Sequence, residues 1–299
     1  MNDEKKNMSG KNVLITGANS GIGKETAIAL ARKGANIIML CRNEEKAINA
    51  MDEIKKRANT EQVDLIIADL SHQDPIYSAV TQIKQGYDHL DVLINNAGSI
   101  LRKRKETLEG YEMTFAVNHL GHFFLTLLLL DMLIKSSPSR IINVSSDAHR
   151  FGNINFENIN FDDSYSSFRA YSNSKLANVL FTYEHANRLE GTGVTVNALH
   201  PGVVNSNFGR GQFSKILAPF TALSTLFMIN AEKGAETSVY LASSDEVKDI
   251  SGKYFKKCKA VKSSKASYNK ESQLKLWQLS LAMVNRQDLL SSNQALLKV

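Results

Sequence analysis

The chain has little of what would tie it to an oxidising or membrane-spanning setting. Among 299 residues it has two cysteines, Cys41 and Cys258, and no Cys-x-x-Cys pair. That argues against a disulfide framework and a thiolate zinc site, and makes a reducing compartment the expected home. The first ten residues are polar and run straight into an apolar strand, so neither a signal peptide nor an N-terminal anchor is expected. No apolar run is long enough to span a bilayer; the densest, Leu125 to Ile134, is short and broken by Asp131. Internal repeats, low-complexity tracts and the aromatic-plus-basic interleaving of an RNA-binding module are also missing. A net charge of +6 is too small and too scattered to argue nucleic acid by itself. The excess gathers at Lys5-Lys6, Arg102 to Lys105 and Lys253 to Lys265, which suits an anionic ligand or an acidic membrane surface.

What is present is an ordinary soluble composition, 43% apolar and 22% charged, in a chain long enough for one large core. Short apolar runs alternate with amphipathic stretches. The runs are Asn12 to Thr16, Asn36 to Leu40, Val63 to Ala68, Asp91 to Ile94, Arg140 to Val144 and Val194 to Leu199, with Tyr254-Phe255 as a last short strand. Helices are expected between them, including a long one from Tyr111 to Leu133, and later over Ala231 to Leu241 and around Leu274 to Val284. Strand and helix in this rhythm predict an α/β fold: a single Rossmann-like domain, a doubly wound parallel sheet with helices on both faces. Residues 1–9 read as a polar N-terminal extension, Asp147 to Arg169 as a long surface excursion, and residues 286–299 as a loose tail. Residues 208–230 are rich in Leu, Phe and Ala; they suit a lid over an apolar substrate, a patch touching membrane, or an ordinary packed helix pair.

The first strand ends in Gly17-Ala18-Asn19-Ser20-Gly21-Ile22-Gly23 and a helix follows. That layout offers backbone N–H groups and a helix N-terminus to a phosphate. The second strand ends in Cys41-Arg42, where an acidic residue would favour NAD. A guanidinium there suits the 2′-phosphate of NADP, so NADP(H) is the expected cofactor. Asp69-Leu70 and Asn95-Asn96-Ala97-Gly98 close the next two strands, at the carboxyl ends where such sheets bind ligands. Asn118, a polar residue in an apolar stretch, is either a satisfied buried amide or a functional group that bends its helix. His119 and His122 lack the further ligands a metal needs at matching spacing, and read as core or supporting histidines.

Tyr171 and Lys175 are four residues apart at the head of an uninterrupted helical pattern, and so share one face. On an exposed face, an ammonium beside a phenol would lower its pKa from about 10 and equip it for acid–base work.

Taken together, Thr16-Gly17-x-x-x-Gly21-x-Gly23, Asn95-Asn96-Ala97-Gly98, Asn118, Ser146, Tyr171-x-x-x-Lys175 and Pro201-Gly202 resemble the signature of the short-chain dehydrogenase/reductase family. The resemblance spans roughly residues 10 to 285. The wording Ala116 to Phe123, Asn143 to His149, Ala170 to Asn178 and Thr195 to Gly202 is similar to the retinol dehydrogenase-like branch. Two departures are the missing N-terminal anchor and Ser206 where Thr is common. The resemblance implies that Tyr171 exchanges the proton with the substrate oxygen and that Lys175 lowers its pKa and binds the nicotinamide ribose. Ser146, rather than Ser145, holds that oxygen, and Asn118 supports a proton relay. It further implies cofactor contacts from Gly17, Asn19, Ser20, Gly21, Ile22, Gly23, Arg42, Asp69, Leu70, Asn96, Ala97, Gly98, Tyr171, Lys175, Pro201, Gly202, Val204 and Ser206.

The expected activity is NADP(H)-dependent hydride transfer on a small apolar alcohol/aldehyde or ketone pair: retinal/retinol, other lipid aldehydes or steroids. A catalytically silent NADP(H)-binding regulatory protein is the alternative. The expected setting is cytoplasmic, with peripheral membrane contact, homodimerisation and no nucleic-acid partner.

Overall fold

The computed structural model describes residues 7–202 and 230–284. Eight strands form one sheet in the order β3-β2-β1-β4-β5-β6-β7-β8. They are β1 Asn12–Thr16, β2 Asn36–Cys41, β3 Val63–Ile67, β4 Val92–Asn95, β5 Ser139–Val144, β6 Val194–His200, β7 Lys253–Lys256 and β8 Lys259–Val261. All neighbours pair in parallel except β7 and β8. The antiparallel β8 was not expected from the sequence: its Lys-Ala-Val is exposed throughout and carries no burial pattern.

Central strands are apolar on both faces, as a covered parallel sheet requires. Leu14, Ile38, Leu93 and Ile141 face one core with Phe123, Phe124, Leu125 and Trp277. Their neighbours Val13, Ile15, Ile37, Met39, Val92 and Ile142 face the other, with Ala27, Ile28 and Leu241. On the first side lie α3 Gln73–Gly86, α5 Gly121–Leu128, α6 Leu130–Lys135, α7 Ser167–Arg188 and α9 Lys270–Met283. On the second lie α1 Gly21–Arg32, α2 Glu44–Ala58 and α8 Ala231–Ser243, the last capped by Asn230. The chain runs outward from β1 in both directions, so the crevice between β1 and β4 is the topological switch point.

Three expectations are corrected. The helix predicted from Tyr111 begins at α4 Met113–Phe115, because the buried Glu112 carboxylate caps it by accepting from Thr114 N (2.9 Å) and Phe115 N (2.8 Å). It then widens into a π-turn over Ala116–Leu120 and breaks at Leu129 before α6. The supposed surface excursion after β5 is partly packed: a 3₁₀ turn spans Asp147–Phe151, and Ile154, Phe156 and Ile159 lie against the α7 core. The last helix starts at Lys270, earlier than expected, with Asn269 accepting from Ser272 N. Val204, Ser206 and residues 208–229 of the proposed lid lie outside the described residues, as do residues 1–6 and the tail from 285. Among the described residues, no helix is long and apolar enough to cross a membrane.

Candidate active site

Two helices that follow adjacent strands start differently. The α2 N-terminus is satisfied: Asn43 accepts from Lys46 N, and Glu44 and Glu45 sit in the first turn. The α1 N-terminus has no acid in its first turn, and Ser20 makes no capping bond. Its orphan N–H groups stay available to an anion. Glycine is demanded here. Gly17 and Gly21 have φ of 68° and 54°. A Cβ at Gly23 would stand 2.5 Å from both Asn96 Nδ2 and Gly17 O.

Thr16 stitches this turn to β4. Its hydroxyl oxygen accepts from Asn96 N and Ala97 N, both at 2.9 Å, while Asn96 Nδ2 donates to Thr16 O at 2.8 Å. The Asn96 side chain is therefore committed to the fold, and Ala97 and Gly98 continue the crevice wall. Cys41 lies beneath the turn; burial pushes its thiol up to about 11, against hydrogen bonds from the Ala18 and Asn19 backbone that lower it. The position where an acid would select NAD thus holds a neutral group. Next to it, Arg42 is largely exposed, with Nη1 3.6 Å from Asp69 Oδ2. Asp69 also accepts from Ser71 N (2.9 Å) and Ser71 Oγ (2.7 Å), which fixes the Asp69-Leu70 corner.

Along the carboxyl edge the residues follow strand order: Asp69-Leu70 after β3, Arg42 after β2, Gly17 to Gly23 after β1, Asn96 to Gly98 after β4, Ser146 after β5 and Pro201-Gly202 after β6. That track fits an extended dinucleotide crossing the switch point.

At the far end of this track the two serines separate in role. Ser145 is buried and its Oγ donates to Lys175 O at 2.7 Å. Ser146 Oγ accepts from Ala148 N at 3.2 Å and shares a hydrogen bond with Tyr171. Lys175 is not on an exposed face as expected; it is 3% exposed, and its Nζ donates to Val144 O at 3.0 Å. Nζ lies 5.7 Å from the Tyr171 ring centroid. The expected lowering of the phenol is absent as well. Burial pushes Tyr171 up to about 12, with the Ser146 bond opposing, while burial alone brings Lys175 down to about 8. Desolvation outweighs the Ser146 bond, so the phenol keeps its proton near neutral pH.

The π-turn places Asn118 inside the molecule. Its Oδ1 accepts from Ser99 N at 2.6 Å, and its Nδ2 donates to Ser99 O at 3.0 Å and to Ser174 Oγ at 2.9 Å. Ser174 Oγ donates in turn to Tyr171 O at 2.8 Å. Asn118 therefore ties the loop after β4 to the helix carrying the tyrosine. The helical histidines diverge. His119 Nε2 meets Ser280 Oγ at 2.9 Å, and His122 bridges Thr16 Oγ1 (2.9 Å) and Asn118 O (3.1 Å). Burial brings them down to about 4 and about 3, so both are neutral.

Sequence reasoning missed the supporting set. Ser99, Ser174, His149 and His200 touch or brace site residues, yet none stands at a spacing that declares it, whereas the supporting role expected of His122 is what its bonds to Thr16 and Asn118 show. Thr16 was visible as part of the glycine motif, but not as the acceptor for the Asn96 and Ala97 amides.

Comparison with known proteins adds to this geometry. The family model described as short chain dehydrogenase matches residues 11–216. Human retinol dehydrogenase 14 is 44% identical over 292 residues, covering 93% of this chain and 87% of its own. Human retinol dehydrogenase 13 is 43% identical over 286 residues, covering 94% and 86%. The crystal structure of an uncharacterized protein from Mycobacterium Paratuberculosis superposes with a TM-score of 0.74 at 35% identity, covering 93% of this chain and 94% of that one.

Proposed function

Because the chain belongs to the short-chain dehydrogenase family, as an oxidoreductase resembling retinol dehydrogenases, we propose that it reduces and oxidises a small apolar aldehyde or ketone and its alcohol with NADP(H). Retinal and other lipid aldehydes are the first candidates, followed by steroid ketones. The observation that carries this reading is the shared hydrogen bond of Ser146 and Tyr171 beside the buried Lys175, at the end of the switch-point track. Two hydroxyls converge where one substrate oxygen can accept from both.

The uncapped α1 N-terminus and the crowded Gly17 and Gly23 fit a pyrophosphate, with Gly21, Ile22, Asn19 and Ser20 around it. Arg42 would meet the 2′-phosphate, Asp69 and Leu70 the adenine side, and Pro201, Gly202, Val204 and Ser206 the nicotinamide end. When bound, the nicotinamide supplies or accepts the hydride. Ser146 holds the carbonyl oxygen, and Tyr171, protonated near neutral pH, donates its proton as that oxygen gains charge. Lys175 would bond the nicotinamide ribose and return the proton to Tyr171, with Asn118 supporting that relay and bracing the helix through Ser174. Residues 208–230 would form the apolar wall, and the described elements act with them as one catalytic domain. Peripheral membrane contact and a homodimer complete the proposal, in a cytoplasmic setting.

The test is NADPH and NADH consumption by the purified chain against retinal, alkyl aldehydes and steroid ketones, with Tyr171→Phe as control. Turnover with NADPH, reduced at least about 100-fold in Tyr171→Phe, is expected. Cofactor binding without turnover on any carbonyl, or wild-type turnover in Tyr171→Phe, would sink the reading.

A further inference from the structure

We infer that His149 is a positioning residue for Ser146, its imidazole clipping the serine's main chain to the segment beginning at Ser264. The inference rests on the reading of Ser146 as the hydroxyl that holds the substrate oxygen.

The tautomer follows from the partners. Ser264 N is 2.9 Å from His149 Nε2, and an amide N–H can only donate. Nε2 therefore carries the lone pair and Nδ1 the proton. Nδ1 donates to Ser146 O at 2.6 Å, and His149 N donates to the same oxygen at 3.0 Å. His149 has no exposed surface, and its ring packs on Tyr254 with centroids 4.7 Å apart.

The other side of the same peptide is held in a matching way. Asp147 N donates to His200 Nδ1 at 3.2 Å. The Asp147 carboxylate accepts from Lys256 Nζ at 2.6 Å and from Tyr254 OH at 3.1 Å. Both polar groups of the Ser146–Asp147 peptide thus face an imidazole, one as acceptor and one as donor. A peptide plane is rigid, so holding its two ends sets the backbone torsion that aims the Ser146 side chain. The serine needs this help because it stands outside β5, in extended backbone at φ −159° and ψ 154°. Without the clip its Oγ would be aimed only by the turn bond from Ala148 N and the bond shared with Tyr171.

The experiment uses the full chain and measures kcat for carbonyl reduction together with the Kd for NADPH. His149→Phe keeps the ring bulk and loses both hydrogen bonds; kcat should fall about 10- to 100-fold, the loss expected of a hydroxyl displaced by about 1 Å. The Kd for NADPH should stay within about twofold. His149→Asn, whose amide reaches the Nδ1 position, should recover most of kcat. In a Ser146→Ala background, His149→Phe should cost less than about twofold more, because its effect passes through the absent hydroxyl. An unchanged kcat in His149→Phe, or the same loss in both backgrounds, overturns the inference. Should His149→Phe fail to fold, Ser264→Pro, at a φ of −71° that proline accepts, replaces the N–H bonded to Nε2 with a ring methylene that pushes the imidazole out of the clip. It should lower kcat at unchanged Kd, and a wild-type kcat overturns the inference. The two readings fail separately: wild-type turnover in Tyr171→Phe removes the proposed function, whereas an inactive Tyr171→Phe beside a fully active His149→Phe removes only the clip.

Discussion

Adjacent serines with one sequence context do different work. Ser145 Oγ is spent on Lys175 O inside the core, whereas Ser146 Oγ meets Tyr171. Ser146→Ala should therefore lower kcat by at least about tenfold with little change in Tm. Ser145→Ala should instead cost about 1 kcal/mol of stability, the price of a lost buried hydrogen bond, and leave kcat closer to wild type. Thermal melts and steady-state kinetics on both variants check this, and the reversed pattern would move the substrate-binding role to Ser145. At the other end of the track, Arg42 is exposed beside Asp69 with a neutral thiol next to it. Arg42→Asp should shift the NADPH/NADH ratio of kcat/KM toward NADH by at least about tenfold. An unchanged ratio would mean that the 2′-phosphate is read elsewhere.

At the scale of the element, α5 is set against the sheet more tightly than its sequence suggests. A Cβ at Gly121 would stand 2.2 Å from Leu70 O, with the Leu70 side chain also close. Gly121 directly follows the π-turn that turns Asn118 inward. Gly121→Ala should push α5 away from the β3 corner at a cost of about 1–3 kcal/mol. Because Leu70 belongs to the expected adenine side, NADPH affinity should fall with Tm. Unfolding curves and a binding titration test this, and intact stability would show that the corner gives way freely. A long, mostly apolar helix over Tyr111 to Leu133 was legible, but not its start at Met113 or its break at Leu129. Nor was its π-turn, because one extra residue per turn leaves no mark on a hydrophobic pattern and is decided by what Asn118 bonds across the fold.

Across the whole molecule, several histidines are buried neutral. Burial lowers His119 and His200 to about 4, and His122 and His185 to about 3. Their unfolded value is about 6.5. On acidification the unfolded chain takes up protons first, so the stability they contribute is complete above pH 6.5. It is lost progressively as pH falls toward 4, with each histidine adding up to about 1.4 kcal/mol per pH unit. Urea unfolding at pH 7.5, 6 and 5 should show a falling midpoint; a midpoint constant to pH 5 would contradict the neutral assignments.

The sequence by itself determined the alternation of strands and helices, the glycine turn after β1, the basic residue after β2 and the Tyr171/Lys175 pairing on one helical face. Each of these is local: a run of apolar residues, a spacing or a turn, readable within a window of a few residues. Only the tertiary structure decided that Lys175 is buried rather than exposed, that the Tyr171 phenol is raised rather than lowered, and that His149 and His200 hold the peptide beside Ser146. Those outcomes depend on desolvation and on partners far away in the chain, Val144, Ser264 and Lys256 among them, which come together only when β5, β6 and β7 lie side by side.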